Sequence, residues 1–397
     1  MKIAGITAEY NPFHQGHQYH ILQTSKKSGA EAIICIMSGN FTQRGEPAVF
    51  DKWSRAKAAV LGGADLVLEL PFAYAVQSAE QFAFGAVSIL DKLNCVSCLS
   101  FGMENGSLND LTKLAHFLAK ESQEYSYLLK NSLDTGLSYP AARAAVLSRL
   151  LPEIGAHLYS SPNNILALEY LKAIETLQSS LQPVSILRCG GAYHDKFPHK
   201  TFASATALRR QILDCGIASV SDENIPLAEK QCYANSPVFP SSLYPYAAFR
   251  LRQMSISKIS KIFGVSEGLE YKIFETVKKA NSYDTFISMI KSKRYPHSRL
   301  QRLLLYCFMG ITKEQMTEAM NAEVYARVLC IKKEKLWLLS YLSKHASIPL
   351  ITKAAQFPQN NPLFDLDLKA SDLYGLLGDQ KKIAPSRRDF IQKLMII

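Results

Sequence analysis

Short, almost uninterrupted apolar runs alternate with longer amphipathic segments through the first 215 residues of this 397-residue chain. A continuous apolar run predicts a strand buried on both faces, whereas apolar positions spaced by three and four residues predict a helix. This alternation of strand and helix indicates an α/β fold with a Rossmann-like parallel sheet. The predicted strands are KIAGI, AIICIM, DLVLELP, VSCLSF and PVSILRC, and the predicted helices are 17–28, 51–61, 78–93 and 108–120.

The remainder of the chain has a different pattern. Residues 216–242 resemble a loop, and the stretch NSPVFPSSLYP near its end carries three prolines, which interrupt regular structure. Beyond it the apolar positions follow helical spacing, so we expect a mainly α-helical domain in which 358–385 has no clear assignment. The predicted domains are therefore 1–228, with the sheet, and 229–397, with helices 248–263, 269–280, 283–292, 298–309 and 312–319.

The two predicted domains differ in charge. The whole chain has a formal net charge of +11, but residues 250–397 alone contain 25 Lys and Arg against 13 Asp and Glu, a net charge of +12. The preceding residues therefore carry a net charge of −1. A neutral sheet domain joined to a basic helical domain favours a polyanionic partner such as RNA, although a Lys-rich helical domain without such a partner has the same composition.

The sequence also indicates the cellular compartment of the protein. No apolar stretch is long enough to span a membrane, and the chain begins with MKIAGITAEY rather than with a signal sequence, so we expect a cytoplasmic protein without membrane contact. The eight Cys are scattered, mostly inside apolar runs, which is typical of reduced core thiols. The only CxxC pair, Cys95 and Cys98, has no second pair or nearby His, so no metal site is predicted.

The turn after the first predicted strand has the clearest chemical character. It contains EYNPFHQGHQYH, in which His14, Gly16 and His17 form an HxGH pattern where the strand leads into a helix. Ligands bind at the carboxyl ends of parallel strands, and a helix amino terminus attracts anions through its free N–H groups. Gly16 permits close approach of a ligand, and two imidazoles can donate hydrogen bonds to one anion. A polar turn without function is the alternative.

A second stretch, FASATALRRQIL, begins a later predicted helix. Ser204, Thr206 and Arg209 offer two hydroxyls and a guanidinium, which suit phosphate oxygens, although Ser204 is also a good helix cap in any protein. The two stretches together resemble the HxGH nucleotidyltransferase superfamily, whose second signature is ISSTxIR; three of the seven positions here depart from that signature. Members of this superfamily bind ATP and transfer AMP to a nucleophile with release of pyrophosphate.

The resemblance narrows to the bacterial tRNA(Met) cytidine acetate ligase family and extends over nearly the whole chain. It implies an enzyme that activates acetate with ATP to acetyl-AMP. The acetyl group then passes to the N4 amine of the wobble cytidine of elongator tRNA(Met), forming N4-acetylcytidine, without acetyl-coenzyme A. The similar segments are MSGNFTQRGEPAVFDKWSRAKAAVLGGADLVLELP, SAEQFAFGAVSIL, FGMENG, PNNILALEYLKAI, the YHD of GAYHD, and KRYPHSRLQRLLLYCFMGI.

The resemblance also implies which residues bind ATP. His14 and His17 are the expected catalytic residues, stabilising charge at the α-phosphate, and Ser204, Thr206 and Arg209 are expected to hold the triphosphate. Mg²⁺ is expected to bridge the phosphates, although no carboxylate ligand set is evident. Asn163 is preferred to its neighbour, Asn164. The expected ATP contacts are Thr7, Ala8, Glu9, Tyr10, Asn11, Pro12, Phe13, His14, Gln15, Gly16, His17, Gln18, Tyr19, His20, Gly102, Asn163 and Arg188.

The basic segment KSKRYPHSRLQR is the expected tRNA-binding site. Lysine and arginine side chains follow phosphates, and the interleaved Tyr295 and His297 can stack on unpaired bases of an anticodon loop. A charged, solvated helix start is the alternative. The expected tRNA-binding residues are Lys291, Lys293, Arg294, Arg299 and Arg302.

Several other side chains allow two interpretations. The TQRGEP loop either lines the acetate or phosphate end of the site or is simply solvated. Lys52 and Arg55 either contact phosphate or cover the surface. His20 either contributes to the ATP site or packs in the core, and His194 either binds substrate or orders a turn.

Two other functions use the same motifs. A metabolite adenylyltransferase, acting on a nicotinate mononucleotide or phosphopantetheine type of substrate, leaves the long basic extension unexplained. An RNA-binding protein that keeps a nucleotide only as a structural ligand does not need an intact HxGH pattern. The sequence therefore favours the RNA-modifying ligase, and it does not indicate an oligomeric state.

Overall fold

The central sheet contains strands from both ends of the chain. The computed structural model describes residues 1–120, 122–155, 158–159, 161–187, 202–266, 268–292, 295–357, 360–378 and 385–397. Its strands are β1 (Ile3–Ala8), β2 (Ala32–Ser38), β3 (Leu66–Leu70), β4 (Cys98–Met103), β5 (Gln182–Leu187), β6 (Ala326–Ile331), β7 (Leu350–Ile351) and β8 (Met395–Ile396). Within the described residues they form one sheet in the order β5-β4-β1-β2-β3-β6-β7, and β8 also pairs with β6.

The first five strands are parallel. From β1 the chain continues to β2 and β3 on one side of β1, and β4 and β5 are added on its other side. The order of the strands therefore reverses between β1 and β4, and open parallel sheets bind ligands at the carboxyl edge of such a position. The predicted Rossmann-like α/β fold is confirmed.

Helices cover both faces of the sheet. Along β2, Ala32, Ile34 and Ile36 join one buried cluster, whereas Ile33 and Cys35 join the other, because successive strand side chains point to opposite faces. The face of Ile33 is covered by α1 (Gln15–Ser28), α2 (Lys52–Leu61) and α9 (Ala205–Cys215). The opposite face is covered by α3 (Phe72–Ala75), α4 (Ala79–Lys92), α5 (Leu108–Ala119), α6 (Gln123–Asp134), α7 (Tyr139–Leu150) and α8 (Pro162–Thr176).

The four helices predicted in the sheet domain are confirmed, with small shifts at their ends. Asp51, which was predicted as a first helical residue, is instead the amino cap of α2, and Ser78 is the amino cap of α4. The Asp51 carboxylate accepts a hydrogen bond from the Ser54 backbone N–H at 2.8 Å. A short polar side chain at this position satisfies one of the free N–H groups of the first helical turn.

The carboxyl-terminal half is mainly helical, as predicted, but it also extends the sheet. β6 pairs with β3 in an antiparallel direction, and this strand was not predicted from the sequence. In the described residues, no helix is both long and apolar enough to cross a membrane. The helices of this half are α10 (Leu227–Lys230), α11 (Pro240–Arg252), α12 (Ile256–Ile259), α13 (Leu269–Lys279), α14 (Tyr283–Ile290), α15 (His297–Met309), α16 (Lys313–Asn321), α17 (Trp337–His345), α18 (Pro362–Tyr374) and α19 (Arg388–Ile391).

A buried ionic cluster fastens the carboxyl-terminal segment to the sheet. Lys52 Nζ lies 2.8 Å from a carboxylate oxygen of Glu69 and 2.7 Å from one of Asp389. Arg327 contacts the same two carboxylates, and all four side chains are at most 5% exposed. Removing one partner from a buried ion pair leaves a costly unpaired charge, so these contacts lock α19 against α2. The prediction that Lys52 contacts phosphate or covers the surface is therefore wrong.

Most of the described cysteines are core thiols, as predicted, whereas Cys215 is exposed. Cys35, Cys98, Cys307 and Cys330 are buried free thiols, and Cys95 is partly buried and also free. Burial raises the pKa of the Cys95 thiol to about 11. A thiol with so high a pKa is a poor nucleophile and a poor metal ligand at neutral pH.

Candidate active site

The HxGH turn leaves β1 at the carboxyl edge of the sheet, beside the end of β4. His14 is the amino cap of α1, and its Nδ1 accepts a hydrogen bond from the Gly16 backbone N–H at 3.0 Å. The backbone N–H of His14 donates in turn to Nδ1 of His17 at 3.3 Å. The two imidazoles thus form a capping box, a reciprocal arrangement that Ser or Thr and Glu usually supply. The helix begins at Gln15, two residues before the predicted start.

These contacts fix the orientation of both imidazoles. An imidazole nitrogen that accepts a hydrogen bond carries no proton, so the proton of each neutral ring is on Nε2. The centroids of the His14 and His17 rings are 3.8 Å apart, and the Tyr10 ring meets His17 edge-on at 4.9 Å. The folded chain therefore fixes the positions of the two Nε2–H groups. These groups are donors suited to phosphate oxygens.

The second signature lies against the HxGH turn. Arg209 Nη1 donates to the backbone oxygen of Asn11 at 3.0 Å, and Nη2 donates to Oγ1 of Thr206 at 3.0 Å. Ser204 caps α9 and accepts from the Ala207 backbone N–H at 3.2 Å. The structure thus brings the two signatures together, as the sequence predicted, and Ser204 does act as a helix cap.

Asn224 joins the amino termini of α1 and α9, and the sequence analysis missed it. Its backbone oxygen accepts from the Gln15 N–H at 2.9 Å, and its side-chain oxygen accepts from the Ala203 N–H at 3.3 Å. Asn224 therefore fixes two helix amino termini side by side, and the dipoles of both helices attract anions to these ends. It lies in a segment predicted as a plain loop, where no signal in the sequence distinguishes it.

The end of β4 supplies the next predicted residues. Gly102 lies in β4, one residue before its end, and the following loop is held by α8. Asn164 is fully buried, and its side chain bonds the Glu104 N–H at 3.0 Å and the Asn105 side chain at 2.9 Å. Asn163 is partly exposed and donates its amide to Glu104. Asn164 thus shapes the loop, and Asn163 is the better placed of the two to meet a ligand.

Arg55 donates hydrogen bonds to backbone oxygens at the ends of two strands. Its guanidinium donates to the backbone oxygen of Glu9 at 2.5 Å, to that of Ser38 at 3.2 Å and to that of Gly39. The side chain is fully buried, so the prediction that Arg55 contacts phosphate or covers the surface is wrong. Arg55 therefore organises the site indirectly, because it fixes the positions at which β1 and β2 leave the sheet.

Glu9 is a partly buried carboxylate at the exit of β1. Its Oε1 accepts a hydrogen bond from the Gln43 backbone N–H at 2.7 Å. Burial raises the pKa of Glu9, whereas the Gln43 N–H and the nearby charges of Arg209 and Arg44 oppose that rise. This carboxylate is therefore under the electrostatic influence of one cation of the second signature and one cation of the TQRGEP loop.

His20 lies farther along α1 and faces β4. Its Nε2 is 3.1 Å from Oγ of Ser100, which in turn lies 2.6 Å from Oγ1 of Thr24. Thr24 and Ser100 are buried. These contacts favour the packed-histidine interpretation over direct contribution to the ATP site.

The predicted tRNA-binding residues do not share one environment. Lys291 is exposed at the end of α14. Arg299 stacks on the Tyr295 ring at 4.6 Å and donates to Oγ of Ser266 at 3.2 Å. Arg302 instead contacts the TQRGEP loop and donates to the Gln43 backbone oxygen at 3.2 Å.

Four residues singled out from the sequence are outside the described ranges. Arg188 and His194 follow β5, and Lys293 and Arg294 precede α15. Their predicted roles stay predictions.

Known proteins are similar to this chain over nearly its whole length. A model of the HIGH Nucleotidyl Transferase family matches residues 1–389. A protein of Acetivibrio thermocellus named tRNA(Met) cytidine acetate ligase is 37% identical, and one of Thermoanaerobacter sp. with the same name is 40% identical, each over 100% of both chains. This chain belongs to the tRNA(Met) cytidine acetate ligase family.

Membership of the tRNA(Met) cytidine acetate ligase family confirms the resemblance inferred from the motifs. A crystal structure of Thermotoga maritima TmcAL bound with alpha-thio ATP is also similar, with a TM-score of 0.91, 31% identity and 100% coverage of both chains. An apo form of the same protein matches equally well. The likeness therefore includes the helical half and the added strands as well as the nucleotidyltransferase sheet.

Proposed function

We propose that this protein is an ATP-dependent ligase that acetylates the N4 amine of the wobble cytidine of elongator tRNA(Met). Acetate and ATP give acetyl-AMP and pyrophosphate, and the acetyl group then moves to the tRNA with release of AMP. The observation that carries this proposal is the meeting of the HxGH turn with Arg209 at the carboxyl edge of the sheet, in a chain that belongs to the tRNA(Met) cytidine acetate ligase family.

Acetate activation requires stabilisation of charge on the α-phosphate. An acetate oxygen attacks the α-phosphorus, and the bond from that phosphorus to the pyrophosphate oxygen breaks. His14 and His17 donate their Nε2–H groups to α-phosphate oxygens, because both Nδ1 atoms are occupied as acceptors. Thr206 and Arg209 hold the β- and γ-phosphates, with Ser204 at the start of the same helix.

The nucleoside part of ATP lies across the switch between β1 and β4. Gly102 permits close approach of the nucleoside, Asn163 is the proposed amide contact, and Arg188 completes the proposed set. Within the described residues, no group of three His, Cys, Asp or Glu is arranged to hold a metal. Mg²⁺ would neutralise phosphate charge in this step.

The transfer step uses the activated anhydride directly. The cytidine N4 amine attacks the acetyl carbonyl carbon, the bond to the AMP oxygen breaks, and the amine loses a proton. No covalent enzyme intermediate and no acetyl-coenzyme A is required. The basic helical half, with a net charge of +12 over residues 250–397, provides the polyanion-binding surface. The proposed contacts there include Lys291, Lys293, Arg294 and Arg299.

The test is incorporation of labelled acetate into tRNA. The purified protein is incubated with ATP and labelled acetate, with or without total tRNA, and the RNA is digested to nucleosides. Label in N4-acetylcytidine that requires ATP and does not require acetyl-coenzyme A supports the proposal. Adenylation of a small metabolite without tRNA labelling would overturn it in favour of a metabolite adenylyltransferase.

A further inference from the structure

The TQRGEP loop forms a tight hairpin between β2 and α2. Phe41 and Pro47 form an antiparallel bridge, and the Thr42 N–H donates to the Glu46 backbone oxygen at 2.9 Å. The Gly45 N–H closes the tip by donating to the Thr42 oxygen at 2.9 Å. We call residues 41–47 the active-site hairpin, because it follows β2 at the same sheet edge as the HxGH turn.

Helix α15 holds the tip of this hairpin. Gly45 has a φ of +83°, and a Cβ atom added there would lie 2.4 Å from the backbone nitrogen of Arg302. Gln301 donates to the Glu46 carboxylate at 2.6 Å, and Arg302 donates to the Gln43 backbone oxygen at 3.2 Å. Burial lowers the pKa of the Arg302 guanidinium, with a smaller contribution from the charge of the neighbouring Arg299. The partly buried Arg302 thus joins α15 to the active-site hairpin.

Hydrogen bonds of the hairpin connect Arg302 with the ATP site. The same Gln43 residue that accepts from Arg302 donates its N–H to Glu9 at 2.7 Å, and its side chain donates to the Gln77 backbone oxygen at 2.9 Å. Glu9 directly precedes the HxGH turn and is under the electrostatic influence of Arg44 at the hairpin tip and of Arg209. A short chain of hydrogen bonds therefore connects a helix of the basic half with the exit of β1.

We propose that Arg302 is a positioning residue for acetate activation, acting through Gln43 on Glu9 and the active-site hairpin. The basic half then completes the activation site in addition to binding RNA. This inference rests on the proposed function and deepens it. It assigns Arg302 a different role from Lys291 and Arg299, because its guanidinium is committed to the hairpin.

The expected effect follows from the geometry. A misplacement of about 1 Å in a catalytic site can lower the rate by about 100-fold. Arg302→Met removes the hydrogen bond to Gln43 and keeps an aliphatic side chain of similar length. It should lower kcat for acetate-dependent ATP–pyrophosphate exchange by about 10- to 100-fold, with a smaller change in KM for ATP. Arg302→Lys can still donate one hydrogen bond and should restore kcat to within about fivefold of the wild type.

The experiment measures exchange without tRNA, and tRNA affinity separately. The matched control is Arg252→Met, because Arg252 also lies in the helical half and donates to a backbone oxygen, that of Val277 at 3.3 Å. This control should exchange like the wild type. Gln301→Met removes the hydrogen bond to Glu46 and should lower kcat in the same direction as Arg302→Met, which protects the test if one variant folds poorly.

Three results would overturn the inference. Arg302→Met with wild-type exchange and weakened tRNA binding would make Arg302 an RNA contact. Equal decreases in Arg302→Met and Arg252→Met would indicate general damage to the helical half. A failure of Arg302→Lys to recover any of the missing kcat would exclude the hydrogen bond as the cause. Absence of acetate-dependent exchange in the wild-type protein would instead overturn the proposed function, and the role of Arg302 with it.

Discussion

Arg209 donates a hydrogen bond to the backbone oxygen of Asn11 at 3.0 Å, across 198 residues of sequence. The contact holds the start of α9 against the turn after β1, and a second bond to Thr206 orients the guanidinium. A planar guanidinium fixed in this way can donate two parallel hydrogen bonds to two phosphate oxygens, whereas the ammonium of lysine has no such planar pair of donors. Arg209 therefore supports the fold of the turn, and we expect it also to bind the triphosphate.

We expect Arg209→Lys to raise KM for ATP in acetate-dependent exchange by about 10-fold or more, since hydrogen bonds to charged groups contribute about 1.5–3 kcal/mol. Arg210→Met is the matched control, because the side chain of Arg210 is 86% exposed and pairs only loosely with Asp214 at 3.9 Å. Similar KM values for wild type and Arg209→Lys would contradict the assigned role.

His17 can be tested in a way that separates capping from phosphate binding. His17→Ala removes both the Nδ1 acceptor and the Nε2–H donor, and we expect acetate-dependent exchange to fall by about 100- to 1,000-fold. His17→Glu retains an acceptor for the His14 N–H, as in an ordinary capping box, but has no hydrogen to donate. It should therefore be as inactive as His17→Ala while melting at a temperature closer to that of the wild type.

The control is His116→Ala. This substitution removes an exposed histidine of α5 that pairs with Glu175 of α8. Its exchange rate should be unchanged. tRNA affinity should also be retained in both His17 variants. Recovery of exchange in His17→Glu would mean that His17 matters only as a cap.

The sequence predicted the parts of the site that depend on local pattern. His14 and Ser204 both cap helices at the carboxyl edge of the sheet, and a strand, a turn and a helix start are recognisable within a dozen residues. The meeting of the two signatures followed from the family resemblance and is confirmed by the contact of Arg209 with Asn11. Local chemistry and topology agree here, so the prediction succeeded.

Parts that depend on long-range packing were not predictable. Lys52 and Arg55 resemble surface residues on a charged helix, and only the positions of Glu69 and Asp389 reveal that Lys52 is enclosed. β6 is a six-residue, mostly apolar segment among helices, interrupted by Arg327, and a segment this short has no period that separates a strand from a buried helical segment. Asn224 is informative only because two helix ends lie beside it.

Binding of tRNA should depend on the basic residues near the start of α15, of which Lys291 is exposed and Arg299 is partly exposed. We expect the double variant Lys291→Ala, Arg299→Ala to weaken tRNA binding, and the slope of log K against log salt concentration should decrease by about 1 for each phosphate that is no longer neutralised. Acetyl-AMP formation should remain. Filter binding at several salt concentrations measures both quantities, and Lys278→Ala, which removes an exposed lysine paired with Glu275, is the control. An unchanged salt slope would place the RNA elsewhere.

Asp367 should make the stability of the protein depend on pH. It is buried, its Oδ1 accepts from the Phe72 N–H at 2.6 Å, and its Oδ2 accepts from the Tyr325 hydroxyl. Burial and then the negative charge of Glu69 raise the pKa of Asp367 to about 7, although Lys52 opposes that rise. The native state therefore holds this proton more tightly than the unfolded state, in which an aspartate titrates near about 3.9.

The sign of the effect follows from this difference. The contribution of Asp367 to the free energy of unfolding is fully present below about pH 3.9 and is lost as the pH rises toward 7, by at most about 1.4 kcal/mol per pH unit. Asp367→Asn does not titrate and can keep both hydrogen bonds. Urea unfolding is measured between pH 5 and 8. As the pH increases, the wild type should lose stability relative to Asp367→Asn. Asp365→Asn, at an exposed position of α18, is the control and should follow the wild type. Parallel pH curves for wild type and Asp367→Asn would show that Asp367 has the same pKa in the folded and unfolded chains.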